Sequence, residues 1–497
     1  MSWSDKVKER IRNFLEIKEP QGVSITVEQL FDFEGEAFRN ELWRRGDAYE
    51  LHQFYSNLTD AISSKYFWAG RPTKGMNIRK VHTGLPSLVV KTLTNVCTDD
   101  LYGIKLDARQ EEWDSIAEEN KFKELLQKCV ADVLVQGDGA FKFSYDKSIS
   151  ELPIIEFYPA NRVDYEYNRA RLTAVIFKTK KCFKDKEYTL KERYTKEGIT
   201  YTLEDKEGKE VDMTAFHELA ELLPVVNHSE FLPAVPVMFD KSAKFEGRGE
   251  SIFAGKHDSF DSFDEVWSQW MLALRKGQIK NYIPEKLLPK NPWTGETMGA
   301  NDFDNDFISI EADMSEGAKN QIQSTQGQIQ HEALLATYTT ALDLCLQGVI
   351  SPSTLGIDVK KLDNGEAQRE KEKTTIYTRN KVVNVLTEKI PELVITALKF
   401  KDSVAKTKAE KDPEVTVNFG GYANPSFEAQ IETLSKAAAV TLMSTEAQVD
   451  ELYGDTKDEE WKKTEVRRIK EEKGIIEADE PSVAADGMKI GFGTDEE

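Results

Sequence analysis

The residues in this 497-residue chain that could do chemistry are poorly spaced for it. Six histidines (His52, His82, His217, His228, His257, His331) show neither HExxH nor HxxxH spacing, so no pair of imidazoles is presented for zinc. Asp302, Asp304 and Asp306 have the opening spacing of a calcium loop. Its sixth position, however, is Phe307 where the sharp turn needs glycine, and its twelfth is Asp313 where a bidentate Glu belongs. A solvated acidic loop accounts for them. Gly137-Asp138-Gly139 follows an apolar helical period and precedes a strand-like run, the reverse of the strand-glycines-helix order that cradles phosphate. It reads as a helix-to-strand turn. Neither a Walker loop nor a GxSxG elbow occurs, and among 87 acidic residues chance carboxylate pairs carry no weight. No catalytic residue, metal or cofactor is expected, and the chain is not expected to be an enzyme.

The balance of 66 basic against 87 acidic residues gives a net charge of −21. Phosphate affinity is carried by basic surface, so this chain is no generic nucleic-acid binder. Cys97, Cys129, Cys182 and Cys345 are far apart with no CxxC pair and read as reduced, buried thiols. No apolar run reaches the roughly 18 residues that cross a bilayer, and the N-terminus lacks a signal-peptide core. Neither export nor membrane insertion is expected.

The elements that would position a site are helices. Phe260, Phe263, Trp267, Trp270 and Leu274 alternate steps of three and four, which places them on one helical face over Ser251 to Lys280. Leu335, Tyr338, Leu342, Cys345 and Val349 repeat that phase, as do Val383, Leu386, Ile390, Leu393 and Ala397. Helices packed in a core display the same pattern, so the informative part is what separates them. Residues 281–311 carry Pro284, Pro289 and Pro292, which rule out a continuous helix. Residues 351–365 open with Ser-Pro and close with Asn-Gly, a loop long enough to be functional or mobile.

Upstream, helical periods run over residues 5–15, 27–58, 85–96 and 122–133. From Ile154 the pattern changes to IIEFYP, LTAVIFKTK, EYTLKERYT and GITYTLED, separated by turn signals as in an antiparallel meander. EVTVNF, from Glu414, alternates like a strand that could return to the first domain. Asn424-Pro425 and Ser444-Thr445-Glu446 open two further helices. The acidic tail, residues 476–497, has the composition of a disordered segment. The fold class expected is α+β, mainly helical.

The order of these parts resembles the portal proteins of tailed double-stranded DNA bacteriophages, in particular those of phages of Gram-positive hosts. The passages that carry the resemblance are ELWRRGDAYELHQFYSN, GRGESIFAGKHDSFDSFDEVW, SPSTLGIDVKKLDNGEAQREKEKTT and NPSFEAQIETLSKAAAVTLMSTEAQVDELY. They look like the family's N-terminal helix, the start of its first stem helix, its tunnel loop with the long helix that follows, and its crown.

The resemblance implies a ring-forming portal architecture. The wing would be residues 1–248 together with a kinked helix and return strand over 366–423. The stem helices would be 249–282 and 316–347, the clip 283–315, the tunnel loop 348–365 and the crown 424–475. It further implies a homo-dodecamer at one capsid vertex of the virion, assembled in the host cytoplasm, through which double-stranded DNA is packaged and ejected. Partners would be the terminase large subunit, a head-completion adaptor, and the major capsid and scaffolding proteins, with no membrane.

Under that reading Ser351, Asp358, Lys360, Lys361 and Asp363 would face DNA. The two lysines are equally explained as loop solvation. Phe260, Phe263, Trp267, Trp270 and Leu274 would form a seam between subunits. Pro292 and Trp293 would be a docking patch. An acidic ring would keep the duplex off its walls. Pro391 would kink the helix after the tunnel loop. A structural connector that forms a ring without passing DNA is the alternative, and a nucleic-acid enzyme a distant third.

Overall fold

The computed structural model describes residues 32–58, 65–70, 78–183, 186–213, 216, 219, 225–226, 231–284, 290–294, 307–310, 322–357, 365–405, 411–420, 431, 434–438, 442–453 and 459–472. The expected helix over 5–15, the three spaced aspartates at 302–306 and the acidic tail lie outside them.

The helix expected over 27–58 is two. Helix α1 (Phe33–Arg45) is capped by Asp32, whose carboxylate accepts the Gly35 amide at 2.7 Å, and ends at Gly46, which adopts φ +69°. Asp47 then accepts the Tyr49 and Glu50 amides and starts α2 (Ala48–Ser56). A left-handed C-cap followed at once by an N-cap breaks a helix whatever the flanking periodicity.

Helix α3 (Leu85–Thr98), strand β1 (Leu101–Leu106), α4 (Gln110–Glu119) and α5 (Phe122–Gln136) follow. Helix α4 escapes the sequence pattern because only Trp113 and Ile116 are buried on it. Strands β2 (Asp138–Ser144) and β3 (Ile154–Pro159) form a three-stranded antiparallel sheet whose other edge is β10 (Ala234–Met238). A second sheet runs β4 (Val163–Asn168), β5 (Arg171–Phe183), β6 (Lys186–Tyr194), β7 (Gly198–Asp205), β8 (Glu210–Val211), with β9 (Val225–Val226) also paired to β7. The expected meander is therefore present, except that IIEFYP belongs to the neighbouring sheet and VDYEYN opens this one.

Strand β2 is buried along almost its whole length because it separates two cores. Phe141 and Phe143 point into the main core, and Ala140, one residue out of phase, into a smaller one with Val163, Val175 and Phe177. The main core gathers Trp43, Leu93, Val130, Phe260, Leu346 and Leu393, so helices distant in sequence share one apolar interior.

Helix α6 (His257–Lys276) is shorter than the stretch 251–280 that its apolar seam suggests. Residues 251–256 instead form turns, closed by Ala254 N–H to Ser251 O and Lys256 N–H to Phe253 O. Strands β11 (Lys280–Pro284), β12 (Phe307–Ile310) and β13 (Gln323–Thr325) then make a small sheet with β11 central, parallel to β12 and antiparallel to β13. Helix α7 (His331–Leu346) begins well after residue 316, because β13 occupies the approach. A 3-10 turn, Pro352–Leu355, precedes α8 (Gly365–Ala405). Pro391 lies inside α8, and the kink expected there does not interrupt the helix. Strand β14 (Val415–Phe419) does return to the first domain, but it pairs with β1, a strand the sequence pattern did not mark.

By its contacts the chain divides into Met1–Gly420 and Gly421–Glu497. Two helices of the second unit are α9 (Thr445–Tyr453) and α10 (Glu459–Glu472), and the Ser444 hydroxyl accepts the Ala447 amide at 3.2 Å as the expected cap. They are held by Lys462–Asp450 and Lys470–Glu446 ion pairs and by the Tyr453 and Trp461 rings, 5.0 Å apart.

Among the described residues no helix is long and apolar enough to cross a membrane. Cys97, Cys129 and Cys345 are buried free thiols, as expected. Cys182 is exposed on β5, which corrects the expectation that all four are buried.

Candidate functional site: a helix hairpin and its base

Helices α6 and α7 are antiparallel neighbours. Lys256 Nζ donates to Leu344 O at 2.9 Å at one end, and Gly277 meets Ile329 at the other. Their two seams face each other, but their burial is graded along the pair. At the base, Phe260, Phe263, Leu342, Cys345 and Leu346 are buried in the main core. Phe260 and Phe263 were expected between subunits. That is corrected: they are spent within their own chain, against Phe253 and Trp43 for the first and Tyr338 for the second. In the middle, half-buried Trp267 and Trp270 each lie 5.7 Å from the Tyr338 ring. Further out, Leu274 is 41% and Leu335 54% exposed, and a groove of about 640 Å³ lined by Val266, Ala273, Ile329 and Leu334 opens between the helices. The apolar period thus continues beyond the point where this chain covers it.

What fixes the base is a stripe the apolar pattern hides. Asp261, Asp264 and Ser268, at helical spacing beside the seam, are all buried. Asp261 accepts the Phe67 and Trp68 amides at 2.7 and 3.2 Å. Asp264 accepts Thr83 N–H and Oγ1–H at 3.0 and 2.8 Å and Trp68 Nε1–H at 3.2 Å, and lies 2.7 Å from His82 Nδ1. The Ser268 hydroxyl accepts the Val81 amide at 3.0 Å. Buried carboxylates are tolerable only when so many donors converge. Even so, burial pushes the Asp261 carboxyl up to about 6, against the pull of its two amide donors. The signal available in the sequence was a run of acids, Asp258, Asp261 and Asp264, in phase with the aromatic seam.

The approach to α6 is fixed by the Gly-Asp-Gly turn read above as structural. Asp138 is fully buried and accepts from Arg248 NH2 at 3.1 Å and from Gly249 N–H at 2.8 Å. The Arg248 guanidinium also donates to the Ala160 and Val163 carbonyls and lies 3.8 Å from the Phe33 ring centroid. Burial raises the Asp138 carboxyl, opposed by the Arg248 charge. The GRGES passage therefore works as a clamp between the sheet and α6.

The expected tunnel-loop residues divide. Asp358, Lys360, Lys361 and Asp363 lie outside the described residues. Ser351 is 3% exposed, and its amide donates to Thr375 Oγ1 at 2.9 Å, so it ties the turn after α7 to α8 and does not face a lumen. Pro292 is exposed and Trp293 is 91% exposed. No group of three His, Cys, Asp or Glu that could hold a metal occurs among the described residues.

No family model and no curated protein matches the chain. Solved structures that align with it include the neck of a native gene transfer agent (GTA) particle computed with C12 symmetry. That alignment has 11% identity and a TM-score of 0.41 and covers 76% of this chain and 91% of the other. A chain of the native GTA virion aligns with 12% identity and a TM-score of 0.37 over 80% and 95%. The neck of the empty particle, computed with C6 symmetry, aligns with 12% identity and a TM-score of 0.36 over 76% and 93%. Likeness at this level defines no shared fold, and the functional reading rests on the chain's own residues.

Proposed function

We propose that this chain is the portal protein of a tailed double-stranded DNA bacteriophage. It is a non-catalytic subunit of a homo-dodecameric ring at one capsid vertex, built around the channel through which DNA is packaged and ejected. The observation that carries the reading is the graded hairpin: an apolar seam that starts in the core and runs on, uncovered, along two helices. Such a face is covered by a neighbouring copy, and a heterologous contact repeated around an axis closes into a ring.

A turn between β11 and β12 carries the exposed Trp293, a docking point for the terminase large subunit and later the head-completion adaptor. The major capsid and scaffolding proteins would meet the ring's outer face. The net charge of −21 suits a duplex that must slide both ways, since every neutralised phosphate would add affinity and drag. Lys360 and Lys361 would touch phosphates only transiently.

Negative-stain averages of the purified chain test this directly. A twelve-fold ring with a central hole is expected, and a chain that stays monomeric at assembly concentrations would sink the proposal. A ring that forms but supports no DNA packaging would reduce it to a connector that does not pass DNA.

A further inference from the structure

A cavity of about 310 Å³ lies between α1, the end of α5, and the turns that lead into α6. Three donors on its wall have no acceptor among the described residues. Arg39 makes no ion pair there, and its buried Nε has no hydrogen-bond partner. Asn40 is 1% exposed, and its Oδ1 is taken up by His257 Nε2 at 2.6 Å, which leaves its amide nitrogen over. Burial holds the His257 imidazole well below its usual range, so it is neutral and serves as the donor in that contact. Gln136 is 5% exposed, and its Oε1 accepts the Asn161 amide at 3.1 Å, which again leaves the nitrogen. The cavity also reaches Ala254 and Gly255, just before α6, whose N-terminus has no side-chain cap.

The charges on the wall are Arg39, Lys244, Glu36 and Glu250. Glu36 is taken by Lys244 at 2.6 Å, so the cavity combines one carboxylate and a surplus of hydrogen-bond donors with a guanidinium that has no ion pair among the described residues. A buried donor without an acceptor, as at Arg39 Nε, costs about 1–3 kcal/mol. A ligand that supplies only acceptors removes that cost. We propose that this cavity binds a small oxyanion, a phosphate or a carboxylate, held by Arg39, Asn40 and Gln136. Bound there, it would stiffen the joint between α1 and the root of α6. The site belongs to the single chain and does not depend on ring formation.

The test is titration of the full-length chain with inorganic phosphate and, in a second arm, acetate, each against chloride at matched ionic strength. Calorimetry and the melting temperature are the readouts. The wild type is expected to bind one equivalent of at least one probe and to melt higher in its presence; the stronger probe names the ligand class. Arg39→Gln should weaken binding about tenfold or more, the value of a lost charge-assisted hydrogen bond. Gln136→Glu keeps an oxygen for the Asn161 amide while replacing the donor by a charge, so it should abolish binding even if Arg39→Gln folds poorly. No binding of either probe to the wild type, or equal affinity in both variants, would overturn the site. Neither result bears on whether rings form.

Discussion

Gly137 and Gly249 meet backbone against backbone. A Cβ on Gly249 would stand 2.1 Å from the Gly137 carbonyl oxygen, and one on Gly137 would stand 2.5 Å from the Gly249 oxygen. This contact brings the turn after α5 onto the segment that feeds α6, with the Asp138 carboxylate bridging the two. Because the obstructing atoms are main-chain, no side chain can swing aside. Gly249→Ala is expected to destabilise the chain by ~3 kcal/mol, at the upper end of overpacking costs. The measurement is the urea midpoint, and an unchanged midpoint would show that the two segments can separate freely.

The Asp138–Arg248 pair is the second test of that clamp. Removing the guanidinium with Arg248→Met leaves a buried carboxylate without its counter-charge, a change that costs about 3–5 kcal/mol. Asp138→Asn placed in the same chain should recover part of the loss. If the double variant is no more stable than Arg248→Met alone, the carboxylate is not the group that suffers.

Asp261 predicts a pH dependence of definite sign. Its carboxyl, ordinarily near 3.8, is raised to about 6 in the folded chain, so between those values the folded state holds a proton that the unfolded state has released. Its contribution to stability is full below about pH 4 and is lost as pH rises through 6, a change of up to ~3 kcal/mol. Unfolding curves at intervals from pH 4 to 7 should contain this fall, and the Asp261→Asn variant should lack it. Parallel curves for the two proteins would contradict the assignment.

Trp293 separates docking from folding. At 91% exposure it contributes little to stability, and Trp293→Ala should leave the unfolding midpoint within about 0.5 kcal/mol. Binding of the terminase large subunit, measured by co-sedimentation with assembled rings, should fall. Undiminished binding would remove the clip patch from the proposal.

Leu335 makes the same separation for assembly. It lies on the uncovered part of α7, so Leu335→Asp should preserve the far-ultraviolet spectrum of the chain and reduce the ring fraction in sedimentation velocity. Rings at wild-type abundance would move the interface elsewhere.

Periodicity made α3, α5, α6, α7 and α8 legible, because each carries an apolar stripe of which at least part is buried in the main core. It failed where a single backbone position decides, as at Gly46, or where few apolar residues mark an element, as on α4. The seam on α6 was legible as a seam, but not the division of its labour. Phe260 and Trp267 have the same character and spacing in sequence, and only the depth of the surrounding core separates an internal contact from an uncovered one. The polar stripe was illegible for a related reason. Acids on a helix ordinarily face water, and the groups that satisfy Asp261 and Asp264, on Phe67, Trp68 and Thr83, come from nearly two hundred residues away.

Strand β11 leaves α6 and strand β13 leads to α7, and the two are hydrogen-bonded neighbours. The chain therefore departs from the hairpin and comes back to it through a closed neck. A length change outside the strands between Pro284 and Gln323 is therefore expected to leave the two helices in place as long as the β11–β13 pairing is kept.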